Sequence, residues 1–136
     1  DAHEQDLVIC RELGDRPGER VTLTNIGLAL EDMQKYVEAI DAHEQALVIC
    51  RELGDRRVER VTLANLGLVL QRMQKYVEAI DAHEQALVIC RELGDRDGER
   101  LALEILEFAL QESRLRSSRM KRAWRVLAGW VSRGGG

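Results

Sequence analysis

Residues 41–56 read DAHEQALVICRELGDR, and residues 81–96 read the same sixteen letters again. Working outward from this stretch, residues 1–40 match residues 41–80 at 32 of 40 positions. A fixed period of this length is the mark of stacked units, each of which buries its apolar face only against its neighbours. The quoted stretch also gives the local structure. Tyr36, Ala39, Ile40, His43, Ala46, Leu47, Cys50 and Leu53 recur at spacings of three and four, which places them on one side of a helix. Ahead of them Leu23, Ile26, Gly27, Leu30 and Met33 do the same. Period-two alternation is absent, so strands are not expected.

The breaks between helices are legible too. Leu-Gly-Asp-Arg recurs at 13–16, 53–56 and 93–96. Gly14, Gly54 and Gly94 can adopt the left-handed conformation that stops a helix. Asp15, Asp55 and Asp95 then cap the next helix, and Pro17 suits its first turn. A shorter break falls near Gln34-Lys35 and Gln74-Lys75. The expected order is helices 1–13, 17–33, 36–53, 57–73, 76–93 and 97–112, followed by a tail. The units are 17–54, 57–94 and a partial 97–112, preceded by an orphan second helix, 1–13. The fold class expected is all-α, a right-handed solenoid of antiparallel helical hairpins.

Composition agrees. Hydrophobic residues make up 45% and charged residues 32% of the 136, which describes a globular chain rather than a disordered one. Aromatic residues are only 4%, so the core must be built from Leu, Ile, Val and Ala. No apolar run is long enough to cross a bilayer and no signal peptide opens the chain. The chain opens on Asp1 without a methionine and reads as a fragment or processed product. Cys10, Cys50 and Cys90 form an odd, evenly spaced set rather than a disulfide framework, and a reducing cytoplasmic location is expected.

The net charge of −4 hides a split. Residues 1–112 carry 24 acidic and 13 basic side chains, hence −11; residues 113–136 carry 7 basic side chains and no acidic one, hence +7. An acidic body is followed by a basic tail.

The repeat resembles the tetratricopeptide repeat. With Gly27 as the small residue of the first helix, Leu23 and Ile26 sit where that family has a large residue and a Leu. Tyr36 matches the aromatic that opens the second helix, and Ala39 and Ala46 match its two small residues. Leu63, Leu66, Gly67, Tyr76, Ala79 and Ala86 repeat the pattern. His43 and His83 replace an aromatic, and Arg51 and Arg91 stand where a proline often ends the second helix, which lengthens the period to 40. Asn-Ile-Gly or Asn-Leu-Gly, with Glu-Leu-Gly-Asp-Arg, is similar to the repeats of Pins-type spindle-orientation adaptors, kinesin light chains and arrays attached to bacterial signalling ATPases. The resemblance covers about residues 1–112.

It implies a partner protein or peptide rather than a substrate. On the first helices, the strip beside the core seam is Val21, Thr24, Asn25 and Leu28, then Val61, Ala64, Asn65 and Leu68. The third unit offers Leu101, Ile105 and Phe108. Arrays of this family turn that strip to their concave side, and in the resembling subclass the asparagine holds the partner's backbone. Asn supplies both a donor and an acceptor, so it can pair with one peptide unit. Asp32 and Arg72 lie at the rim. The paired basic residues of the chaperone-tail clamp are missing.

Other constellations have plainer readings. The His3, His43, His83 ladder and the cysteine ladder suggest metal or redox chemistry, but His43 and Cys50 are about 10 Å apart along a helix, too far for one ion. Both ladders read as members of the helix seam. Glu38, Asp41, Glu44 and Glu52 interleave with arginines on a polar face, with Glu52 and Arg56 spaced as an i, i+4 pair. No nucleophile elbow and no phosphate loop is present, so neither catalysis nor a cofactor nor a small-molecule substrate is expected.

In the tail, Met120, Ala123, Trp124, Leu127, Trp130 and Val131 share one helical face, with Lys121, Arg122 and Arg125 opposite. Residues 119–131 are expected to form a cap that packs Trp124 and Leu127 onto the helix around Leu103–Leu110. The alternatives are a tether through residues 114–133 to membrane or nucleic acid, and a homo-oligomer that covers the open repeat ends. The leading functional expectation is a non-catalytic interaction scaffold.

Overall fold

The computed structural model describes residues 2–134, apart from the side chains at 130, 131 and 133. Its elements are all α-helices: α1 (Ala2–Leu13), α2 (Arg16–Asp32), α3 (Tyr36–Leu53), α4 (Arg56–Arg72), α5 (Tyr76–Leu93) and α6 (Arg96–Gly134). No strand occurs among the described residues. Each helix packs on its neighbours in sequence, most extensively within the hairpins α2–α3 and α4–α5, and least between α1 and α2. The result is an all-α repeat solenoid.

The turns obey the chemistry of their residues. Gly54 ends α3 at φ 66°, its amide reaching back to the α3 carbonyls, and Gly14 and Gly94 take the same conformation at φ 67°. Asp15, Asp55 and Asp95 then accept the amides of Gly18, Val58 and Gly98 at 3.0, 3.3 and 2.9 Å. Each cap satisfies an amide that has no partner inside the helix. The break inside each hairpin is tighter and costlier. Gln34 and Gln74 carry φ of 59° and 61°, a conformation that a side chain disfavours by about 1–2 kcal/mol. Only packing of the helix that follows can offset that cost.

That packing centres on a glycine. A Cβ at Gly27 would lie 2.6 Å from His43 Cε1, and one at Gly67 would lie 2.5 Å from His83 Cε1. The two imidazoles therefore lie directly on bare backbone and are fully buried. The His83 Nε2 proton points to Gln71 Oε1 at 2.6 Å, while His43 Nε2 faces Glu31 at 3.3 Å. Around this contact Leu47, Leu63, Leu66, Leu70, Ala79, Ala86 and Ile89 form one cluster, and Leu23, Ala46 and Ile49 form its counterpart one unit earlier. Cys50 and Cys90 are buried in the seam. Cys50 Sγ meets Thr62 Oγ1 at 3.6 Å, and burial pushes both thiols up.

Successive hairpins are joined by charge. Glu19 is buried between Arg11 Nε at 3.0 Å and Arg16 Nη1 at 2.8 Å. Glu59 sits identically between Arg51 at 3.1 Å and Arg56 at 2.9 Å. Burial alone would raise the Glu19 carboxyl, yet the two guanidiniums outweigh it and hold it below the usual range. Arg16 also pairs with Glu52, and Arg56 with Glu92. The i, i+4 pairing of Glu52 with Arg56 is thus corrected: Gly54 breaks the helix between them, and each residue bonds across its own hairpin instead, Glu52 to Arg16 and Arg56 to Glu92.

The C-terminal cap is the second correction. Residues 113–134 do not turn back; they continue α6 as one helix of 39 residues. Trp124 is 73% and Leu127 is 55% exposed, so neither covers Leu103–Leu110. Phasing the tail on the repeat gives the reason. Glu107 stands where Gly67 seats an imidazole. Arg116 replaces Tyr76, and Arg119 and Arg122 replace the buried Ala79 and Ala82. No helix with those residues can pack on α6, so nothing offsets the cost of a left-handed turn at Arg114. Arg116 instead donates to the Gln74 carbonyl at 2.8 Å and lies 5.8 Å from the Tyr76 ring centre. The expected stripe residues Trp130 and Val131 fall outside the described side chains.

Three outcomes are expected. Gly67→Ala should cost about 1–3 kcal/mol through overpacking against His83, measured by urea unfolding, although Ala is the better helix former. Amide exchange should be slowest in α3–α5 and fastest in α1 and residues 117–134. Burial holds the His83 imidazole below its ordinary value of 6.5. The unfolded chain then binds the proton first, so stability falls as pH drops below 6.5, until the folded group also titrates. His83→Phe keeps a ring on Gly67 and should reduce the loss of melting temperature between about pH 7.5 and about pH 5.5.

Candidate functional site

The first helices α2, α4 and α6 display the expected strip in three registers. Val21, Val61 and Leu101 form one row, and Leu28, Leu68 and Phe108 another; all six are between 40% and 57% exposed. Large apolar side chains recur at the same two places on every first helix, with no described residue covering them. Between the rows lie Asn25, which is exposed, and Asn65 and Ile105, which are half-buried. Neither asparagine side chain has a hydrogen-bond partner among the described residues. Bonding of these amides to a neighbouring helix, the plain structural use of a buried Asn, is not what occupies them.

The remaining expected residues divide. Thr24 directs its hydroxyl to the Arg20 carbonyl at 3.0 Å, which ties it to its own helix. Ala64, Leu101 and Ile105 come together from α4 and α6 around a cavity of ≈ 30 Å³, about the share of one water in the liquid. Asp32 is exposed. Arg72 is not a free cation at the rim, because its Nη1 lies 3.8 Å from Glu31 Oε1 of the preceding unit.

Two half-buried residues beside the strip escaped the reading from sequence, Arg20 and Arg60. Arg60 lines the same small cavity as Ala64 and Ile105, and its Nε lies 4.0 Å from Asp95. The signal was present: Glu-Arg-Val at 19–21 and 59–61, then Glu-Arg-Leu at 99–101, sets an arginine next to each residue of the first apolar row. The strip therefore carries a basic edge, two apolar rows and amides between them.

The histidine and cysteine ladders lie elsewhere, in the seams between helices. Among the described residues no group of three His, Cys, Asp or Glu side chains is placed to hold a metal ion, and no helix is long and apolar enough to cross a membrane.

The sequence model of the tetratricopeptide repeat matches residues 18–92, which takes in nearly all of both hairpins and the glycine seats at Gly27 and Gly67. Comparison with curated proteins finds no significant match. Two 40-residue hairpins, each closed by an imidazole on a glycine, and a family match over more than half the chain lead to one assignment: this chain belongs to the tetratricopeptide repeat family.

Proposed function

We propose that the chain is a non-catalytic protein-interaction module that holds an extended peptide across α2, α4 and α6. The observation that carries this reading is the pair of exposed apolar rows with unpartnered asparagines between them. Repeats of this family generally mediate contacts between proteins, and the resemblance to Pins-type adaptors and kinesin light chains favours the same face.

The dimensions suit an extended chain. Neighbouring helices pack about 8–10 Å apart, and an extended peptide advances about 3.3 Å per residue. Asn25 and Asn65 therefore meet main-chain amides about three residues apart. Val21, Leu28, Val61 and Leu68 receive apolar side chains, and the ligand becomes more apolar toward Leu101, Ile105 and Phe108. Exposed apolar rows supply affinity, while amides fix register.

The test is selection of binding peptides from a random library displayed against the full chain, followed by Asn25→Ala with Asn65→Ala. The double variant should keep its helical spectrum and melting temperature and lose about tenfold or more in affinity for the selected peptides, the loss of one or two hydrogen bonds. Peptides that bind the folded double variant with unchanged affinity place the site elsewhere.

A further inference from the structure

The opposite side of the solenoid, formed by α3 and α5, holds a second surface. Between these helices runs a groove of ≈ 680 Å³ with Leu66 and Leu70 of α4 beneath it and Val48 and Val77 along its walls. Val77 is 82% exposed. Glu44, Glu78 and Asp81 edge the groove. Glu44 and Glu78 have no ion-pair partner among the described residues. The same arrangement recurs 40 residues earlier between α1 and α3, where Glu4, Glu38 and Asp41 edge a groove of ≈ 390 Å³ over Ile26 and Leu30. Asp81 accepts from Gln85, and Arg51, which also lines the groove, is held by Glu59; an apolar floor edged by the unpaired Glu44 and Glu78 calls for a ligand that is apolar on one side and cationic beside it.

The chain itself carries such an element. Beyond Arg116, which meets the α4–α5 turn at Gln74 and Tyr76, α6 runs on as an overhang. Residues 117–134 extend about 27 Å at the helical rise. Met120, Trp124 and Leu127 are exposed there at 62%, 73% and 55%, and their spacing of four and three sets them in one stripe. Arg119, Lys121, Arg122 and Arg125 are exposed as well, and none has an ion-pair partner among the described residues. A stripe of apolar side chains on a basic helix and an apolar groove rimmed by acids are complementary surfaces within one sequence: residues 1–112 sum to −11 and residues 113–136 to +7. The overhang does not reach the groove of its own chain, because α6 is unbroken and its projecting end points beyond the α4–α5 turn.

We propose that the overhang of α6 docks in the α3–α5 groove of a second copy of this chain, with Met120, Trp124 and Leu127 on the floor and Arg119 and Lys121, which flank that stripe at about 100° to either side of Met120, against Glu44, Glu78 and Asp81. The contact leaves the α2, α4 and α6 strip untouched, so it stands or falls separately from peptide binding there.

Sedimentation velocity of the full chain, at concentrations up to about 100 µM, should show self-association that weakens as salt is raised. Trp124→Ala with Leu127→Ala should reduce the association constant by about tenfold or more while the helical spectrum is kept. The decisive arm is a charge exchange. Glu44→Lys with Glu78→Lys in one chain, and Arg119→Glu with Lys121→Glu in another, should each abolish self-association. A mixture of the two should associate again, because each groove then faces an overhang of opposite sign. A wild-type chain that stays monomeric throughout overturns the proposal, as does association that persists in either variant alone or fails to return on mixing. Binding of a monomeric chain to vesicles of anionic phosphatidylserine, lost with Trp124→Ala, overturns it in favour of a lipid surface.

Discussion

Everything in this solenoid hangs on two places where an imidazole lies on bare backbone. Gly67 has no side chain, so α4 and α5 approach until the His83 ring touches the α4 backbone. That approach buries Ala79, Ala82 and Ala86, and the burial outweighs the left-handed turn at Gln74. The third unit shows the dependence by its absence. With Glu107 in the glycine position and arginines at the alanine positions, the hairpin does not close and the chain stays helical for 39 residues. The glycine seat and the small residues packed beside it together separate a folded hairpin from a long rod.

Between hairpins charge is added to shape. The buried Glu19 and Glu59 each bind two arginines, one from the preceding second helix and one from their own first turn. A buried carboxylate costs several kcal/mol unless it is matched, so each clamp holds only while both arginines stay in place. Arg16 with Glu52 and Arg56 with Glu92 act within a hairpin, tying the start of its first helix to the end of its second. Apolar packing runs through hairpins and across them, since Leu47 of α3 shares a cluster with Leu63 and Leu66 of α4, and the buried carboxylates add a charged contact at each junction.

How much of this could be read from letters alone varies with the range of the interaction. Helix positions, the glycine stops, the aspartate caps and the place of Gly27 follow from local spacing, and the structure has them where periodicity puts them. Contacts 36 residues apart do not follow from local spacing, which is why Glu52 looked like a partner for Arg56. The tail misled for a different reason. Its amphipathic pattern is real, but amphipathicity says only that a face seeks cover, not that the cover lies in the same chain. Substitutions such as Ala79 to Arg119 carried the missing information, and it emerges only when the tail is laid on the repeat's phase. The amides of Asn25 and Asn65 were legible as a row; their lack of partners needed three dimensions. Arg20 and Arg60 sat in plain view at the same period but flank the strip rather than fall within it.

The overhang has an optical corollary. Both tryptophans of the chain, Trp124 and Trp130, fall within residues 117–134, and the repeats contain only Tyr36 and Tyr76 as ultraviolet fluorophores of their own. Emission excited at the red edge of the indole band therefore comes from the rod alone. The hairpins can melt with little trace in that channel, while any change in what surrounds Trp124 registers directly. Under red-edge excitation the molecule carries a built-in lamp on the projecting end of α6 and is dark elsewhere.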